Sequence, residues 1–291
     1  MNKSFTLIEV LVVVLTVGIL SSIIYVASES ARERGNFAKV LMFSEKIKSS
    51  LAENMVGQWG LDEGTGENIY DSSMNNNNGT RVGSVAWETN KKNCVYNYCM
   101  YFDGVDDYIN IAKDLTGGLN SITLSVWAKN ENGSSNLFIS SGNAIILHFR
   151  GAGFYLVGED GTTSGYLGWG STLPLNKWLH LVATWSNSSV GDGKMKLYID
   201  SVKQSSELSF TGGATNKLRI STYSYVGHYF NSGQVWFKGY VDEINLYNKA
   251  LTTTEIKEKY YSGLNNLLVN NQIGQKEYLS SLFNIKLTTN E

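Results

Sequence analysis

Trp178-Leu179-His180-Leu181-Val182-Ala183-Thr184-Trp185-Ser186 sets Leu179, Leu181, Ala183 and Trp185 on one side of an extended chain and His180, Val182, Thr184 and Ser186 on the other. A period of two residues is the signature of a strand with one buried face. The same alternation recurs on both sides of it. Ile122, Leu124 and Val126 alternate in the run that ends at Trp127, and Met195, Leu197 and Ile199 alternate with Lys194, Lys196, Tyr198 and Asp200. Clusters of Gly, Asn, Ser and Asp separate these runs at 74–79, 130–135, 159–165, 186–193 and 211–216. No stretch between them has helical spacing long enough for a crossover helix, so residues 56 to about 250 are expected to form an antiparallel β-sandwich.

The 291 residues carry 24 Lys and Arg against 26 Asp and Glu, a net charge of -2. That balance excludes an electrostatic nucleic-acid binder. With 42% hydrophobic and 12% aromatic residues the chain is too apolar to be disordered. Its 29 glycines and single proline suit the turns of an antiparallel fold.

The N-terminus is different in kind. Between Phe5 and Val26 the only charge is Glu9, and as a helix this segment would be about 33 Å long, enough to cross a bilayer core. A carboxylate near the centre of such a helix costs roughly 2.5–3.5 kcal/mol on insertion scales. It therefore calls either for a place near the interface or for a positive partner from a neighbouring subunit. From 28 to 55 the chain contains no proline, and Phe37, Val40, Ile47 and Leu51 repeat at helical spacing, which predicts an amphipathic continuation of the helix over 27–55.

Ser4-Phe5-Thr6-Leu7-Ile8-Glu9-Val10-Leu11-Val12 resembles the N-terminus of type IV prepilins and of the pseudopilins of secretion systems. The resemblance implies a leader, 1–4, removed by a prepilin peptidase between Ser4 and Phe5, with Ser4 standing where the family has Gly. It further implies N-methylation of Phe5 and a role for Glu9 in subunit assembly, opposite a neighbour's amine. The implied location is a single-pass inner (cytoplasmic) membrane protein with its head outside the cytoplasm, assembled with other pilin or pseudopilin subunits in a pilus or pseudopilus.

The head carries a second resemblance. Val56-Gly57-Gln58-Trp59 leads into Asp62-Glu63-Gly64-Thr65-Gly66, then Asp71-Ser72-Ser73, then Tyr101-Phe102-Asp103-Gly104-Val105-Asp106-Asp107-Tyr108-Ile109. Farther on stand Leu197-Tyr198-Ile199-Asp200 and Gly239-Tyr240-Val241-Asp242-Glu243-Ile244-Asn245-Leu246-Tyr247. In this order the phrases resemble the laminin G-like, concanavalin A-like jelly roll, which implies two packed sheets that bind glycans or surface proteins. The expected fold class is α+β: a transmembrane segment at 5–26, the helical continuation at 27–55, a jelly roll at 56–262 and a helical or partly ordered tail at 263–291. Thr252 with Glu255 forms a capping box that starts a short helix, which Ser262-Gly263 is expected to end.

Cys94 and Cys99 allow a thiol pair, part of a metal site or a disulfide. With no third Cys or nearby His, and with the head exported, the disulfide is favoured. Strand alternation puts Asp242 on the face of Ile244 and Leu246 unless a bulge intervenes. The jelly-roll resemblance then implies a structural calcium shared by Asp71, Asn77 and Asp242. In the alternative reading Asp71 and the asparagines form turns and Asp242 accepts backbone hydrogen bonds. Catalytic residues are not expected. The three histidines are isolated, the Glu-x-Asp-x-x-Glu series of related hydrolases is absent, and the pairs Asp62–Glu63 and Asp242–Glu243 are expected to point to opposite faces. Trp169, Tyr223, Tyr225 and Tyr229, with Tyr166 and Trp236, lie in or near Gly-rich loops where flat rings could stack on a sugar. The function expected is that of a pilin-like subunit displaying a lectin-like head for adhesion. A purely structural pseudopilin and a membrane-anchored carbohydrate-active enzyme are the alternatives.

Overall fold

A computed structural model describes residues 49–287, apart from 134–135, 141–143, 150–152, 170–171, 223 and 230–234. The leader, the segment 5–26, Glu9 and most of the helical continuation lie outside the described residues. Among the described residues no helix is long and apolar enough to cross a membrane. The strands and the C-terminal helices all belong to one unit, Leu51–Glu291.

The strands in chain order are β1 (Met55–Trp59), β2 (Asn68–Ile69), β3 (Gly79–Val82), β4 (Ala86–Glu88), β5 (Cys99–Asp103) and β6 (Tyr108–Ile111). Next come β7 (Ser121–Asn130), β8 (Asn136–Ser140), β9 (Ile145–His148), β10 (Phe154–Val157), β11 (Ser164–Leu167) and β12 (Leu179–Ser186). The last are β13 (Lys194–Ile199), β14 (Val202–Ser209), β15 (Ser224–Val226), β16 (His228–Tyr229), β17 (Val235–Trp236) and β18 (Lys238–Tyr247). Helices α1 (Thr253–Val269) and α2 (Gln275–Leu287) follow. The expected helix over 27–55 gives way before its expected end, because β1 already begins at Met55 and pairs with β18.

The strands form an antiparallel sandwich. One sheet runs β14-β13-β12-β7-β18-β5-β4, and β1 also pairs with β18; the other runs β11-β10-β9-β8-β15-β6-β3-β2. Ile122, Leu124, Val126, Leu181, Ala183, Trp185, Met195 and Leu197 from the first sheet meet Ile109, Ile111, Ile145, Leu147, Phe154 and Val226 from the second in one apolar core. Each such side chain contributes roughly 1.5–3 kcal/mol on burial.

The central strands of the first sheet, β7 and β12, are buried on both faces, where half-burial is the expectation. Every residue of β12 is buried, His180 included. The cover is α1, whose Tyr260, Leu264 and Leu267 pack with Trp127, Trp178 and the disulfide in a second cluster outside the sheet. Tyr260 stacks on Trp127 with ring centroids 5.7 Å apart. The capping box at Thr252 and Glu255 forms as expected. The helix, however, does not end at Ser262-Gly263 but runs on to Val269, across the expected boundary at 262. Gly263 is a point of close approach: a Cβ there would lie 2.5 Å from the Trp127 ring. At the helix end the Asn270 side-chain amide donates to Cys94 O at 3.2 Å, tying α1 to the loop closed by the Cys94–Cys99 disulfide.

Candidate ligand-binding site

Half-buried aromatic rings gather at Tyr101 and Tyr240 of the first sheet, beside Lys129, and on the outer face of the second sheet, which α1 does not cover. On β6, Ile109 and Ile111 face the core, so Tyr108 and Asn110 face outward; on β15, Val226 faces the core and Tyr225 faces outward beside Asn110. The β16–β17 hairpin pairs His228 with Trp236, whose rings stack with centroids 3.5 Å apart. Tyr108 joins them, with its ring centroid 5.7 Å from Tyr225, 5.9 Å from His228 and 6.2 Å from Trp236. His228 is buried, whereas Tyr108, Tyr225 and Trp236 are half-buried. The result is a cluster of partly accessible aromatic surfaces on a sheet frame, with polar atoms around it.

The expected ligand-binding aromatics divide. Tyr225 and Trp236 belong to this cluster. Trp169 does not: it is 1% exposed in the core, and its indole N–H donates to His148 O at 2.8 Å. Burial of the flat ring outweighs its place in a Gly-rich loop. Tyr223 and the side chain of Tyr229 lie outside the described residues, and Tyr166 is exposed on β11. Tyr108 is not among the expected residues, although its alternation with Ile109 is the signal that marks it as outward-facing.

The expected calcium set is brought together only in part. Asp71 Oδ1 accepts the Gln58 and Ser73 backbone N–H groups, and Oδ2 accepts that of Asn77, each at 2.9 Å. The Asn77 side-chain amide donates to Val56 O at 2.6 Å. Asp242 lies elsewhere. Between Asp242 and Asn245 the register of β18 shifts, with Glu243 at φ 52°, and this bulge takes Asp242 off the face of Ile244 and Leu246. Its Oδ2 accepts the N–H groups of Val95 and Tyr96 at 2.9 and 3.0 Å, inside the disulfide loop. These contacts fit the turn and hydrogen-bond reading. Asp103, Asp106 and Asp107 place carboxylate oxygens within 4.8 Å of one another. Even there, Asp107 spends one oxygen on Ser84 N–H and the other on Asp103 N–H.

The bulge also corrects the expectation that Asp242 and Glu243 point to opposite faces. Both act on the same Tyr96 hydroxyl, which burial and then these carboxylates hold above its ordinary range. Burial raises the Asp242 carboxyl well above the usual carboxylate range, and it pushes Glu243 up to about 7, partly offset by Lys259 of α1. His180, facing α1, has its Nε2 2.9 Å from Ser125 Oγ and is lowered by burial to about 3.

A family described as the concanavalin A-like lectin/glucanases superfamily matches residues 103–257, just over half of the chain. The type IV major pilin protein PilE1 of Neisseria gonorrhoeae is 29% identical over 140 residues, 47% of this chain and 75% of that protein. Among solved structures, domain 4 of AbnA, an extracellular GH43 arabinanase from Geobacillus stearothermophilus solved with arabinotriose, superimposes with a TM-score of 0.52 and 20% identity, covering 70% of this chain and 97% of that one. The ligand-binding domain of botulinum neurotoxin serotype D, solved with N-acetylneuraminic acid, gives 0.57 and 16%, covering 75% of this chain and 53% of that one. The chain thus spans about half of the toxin domain, and at these identities the structural likenesses show the fold alone. Together with the observed sandwich, the match over 103–257 places this chain in the concanavalin A-like lectin/glucanases superfamily.

Proposed function

We propose that the chain is a pilin-like subunit whose jelly-roll head binds glycans through the aromatic cluster of Tyr108, Tyr225 and Trp236. The observation that carries this reading is the position of those rings. They are half-buried, held by strands and by each other, and set on the outer face of the sheet that α1 leaves uncovered. Rings in that state lose little entropy on binding and offer apolar faces to the C–H surface of a sugar. The pilin half of the proposal draws support from Phe5 to Val12 and from the likeness to PilE1. The neighbours solved with arabinotriose and N-acetylneuraminic acid make a saccharide the natural ligand class to try.

A glycan array probed with the full-length protein tests the head. Binding should be saturable, and Trp236→Ala should weaken it about tenfold or more, about 1.4 kcal/mol. An array without any signal, or a Trp236→Ala protein that binds as well as the parent, would overturn the glycan assignment.

A further inference from the structure

A lysine stands along the buried stripe of α1. Ile256, Tyr260, Gly263 and Leu267 turn this helix toward the first sheet, and Lys259, three residues after Ile256 and four before Gly263, lies along the same face. Beneath it, Ile244 and Leu246 of β18 enter the core, so Asn245 and Tyr247 face the helix. Asn245 is only 2% exposed. The Lys259 ammonium donates to Asn245 Oδ1 at 3.1 Å and lies 5.7 Å from the centre of the Tyr247 ring. The other end of the same amide is fixed as well: Asn245 Nδ2 donates to Glu243 O at 2.9 Å.

The choice of partner is the anomaly. Lys177, Lys194, Lys196, Lys203 and Lys249 each pair with a carboxylate. Lys259 pairs with none among the described residues, although Glu243 stands close enough to oppose the lowering that burial imposes on its ammonium. An ammonium without a counter-charge is costly in such a place, and the neutral amine that burial favours is a nucleophile. It faces an amide carbon one covalent bond beyond Oδ1, in a side chain held at both ends and shielded from water. Glu243 supplies the third part. Burial pushes its carboxyl up to about 7, and the Asn245 side chain is close enough to act on it by hydrogen bonding. A carboxyl in that position can carry a proton between the amine and the amide.

We infer that Lys259 and Asn245 form an intramolecular isopeptide bond that joins α1 to β18, with Glu243 as the proton carrier. The bond from Lys259 Nζ to Asn245 Cγ forms and the Cγ–Nδ2 bond breaks. Nδ2 leaves as ammonia, with its own two protons and one from the amine, passed on by Glu243. Amine and carboxamide give amide and ammonia, so no oxidant or other reactant is needed. The test is tryptic mass spectrometry of the full-length protein with its disulfide reduced. Residues 239–249 should appear joined to 258–276, uncut after Lys259 and lighter than the two peptides together by one ammonia. Lys259→Arg and Asn245→Ala should release the peptides separately. Glu243→Gln, which keeps the size of the side chain but cannot carry the proton, should leave most chains unjoined. A folded parent that trypsin cuts after Lys259, with 239–249 at its unmodified mass, would overturn the bond. Joining in a folded Glu243→Gln protein to the parent's extent would overturn the role given to Glu243.

Discussion

Gly263 of α1 sits directly over the indole of Trp127 on β7, with no room for a single methyl group between helix and sheet. This contact is what allows a helix to lie flat on the outer face of the first sheet, where Tyr260 stacks on the same indole.

Gly263→Ala is therefore expected to destabilise the head. Elsewhere in a helix the change would gain about 1 kcal/mol in propensity, but here the added carbon must push α1 away from the sheet. A net loss of about 1–3 kcal/mol is expected in a denaturant titration, together with loss of Trp127 burial by fluorescence. A stabilised variant would show that the helix is free to shift.

Asp242→Ala should also destabilise, and by the same amount with calcium or with EDTA present. The acceptor of both observed bonds is Oδ2, and the donors are the Val95 and Tyr96 amides. Leaving them unpaired, set against the relief of a buried carboxyl, predicts about 1–3 kcal/mol. A melting temperature that rises with calcium in the parent and not in Asp242→Ala would instead establish the metal site.

Opening the Cys94–Cys99 loop by a double change to Ser should cost about 2 kcal/mol, since a loop this short constrains the unfolded chain only modestly. The loop also carries the amides that meet Asp242 and the carbonyl that meets Asn270. Hydrogen exchange should therefore speed up at the end of α1 as well as in the loop. Exchange confined to the loop would refute the coupling.

Burial holds Glu243 at about 7, against an ordinary value of 4.5, so between those values the folded state keeps a proton that the unfolded state has released, and the stability this proton confers is lost as pH rises from about 4.5 through about 7. His180 and His148, lowered by burial from 6.5 to about 3 and about 4, act in the opposite sense, adding stability as pH climbs to 6.5. Glu243→Gln removes only the glutamate's share, so melting temperatures of the parent should fall relative to those of Glu243→Gln as pH rises across 4.5 to 7. A difference between the two that does not change with pH would contradict the raised carboxyl.

At the other end of the chain, cells that contain a prepilin peptidase should yield a protein starting at N-methylated Phe5. Terminal sequencing of the membrane fraction reads this directly, and a chain that still begins at Met1 there would contradict the prepilin reading. Glu9→Val should insert normally and fail to assemble, a result that crosslinking between subunits would show.

The sandwich itself was legible in the sequence because strand alternation is a local property. Ile122, Leu124, Val126, Leu181 and Trp185 can be assigned to one face without knowing what lies opposite, and all of them enter the core. The disulfide was legible for the same reason, its two cysteines being five residues apart. The candidate site was legible only in part. Tyr225 and Trp236 stand where loop chemistry suggests, Tyr108 is reached only through its strand, and Trp169 departs from expectation because a loop residue's exposure depends on what folds over it.

What the sequence determined by itself is the central strands β7, β12 and β13 with their inward faces, the cap of α1 at Thr252 and the change of composition at the N-terminus. Tertiary structure decided the outward faces. His180 alternates outward as expected and is nonetheless buried, because a helix from far along the chain lies on it. Asp242 left the face that alternation assigned to it because β18 changes partners from β5 to β1 at that point and takes up the mismatch in a bulge. Periodicity records the direction of a side chain relative to its own backbone. Whether that direction ends in water, in a helix or at another strand depends on distant segments, and that information exists only once the chain has folded.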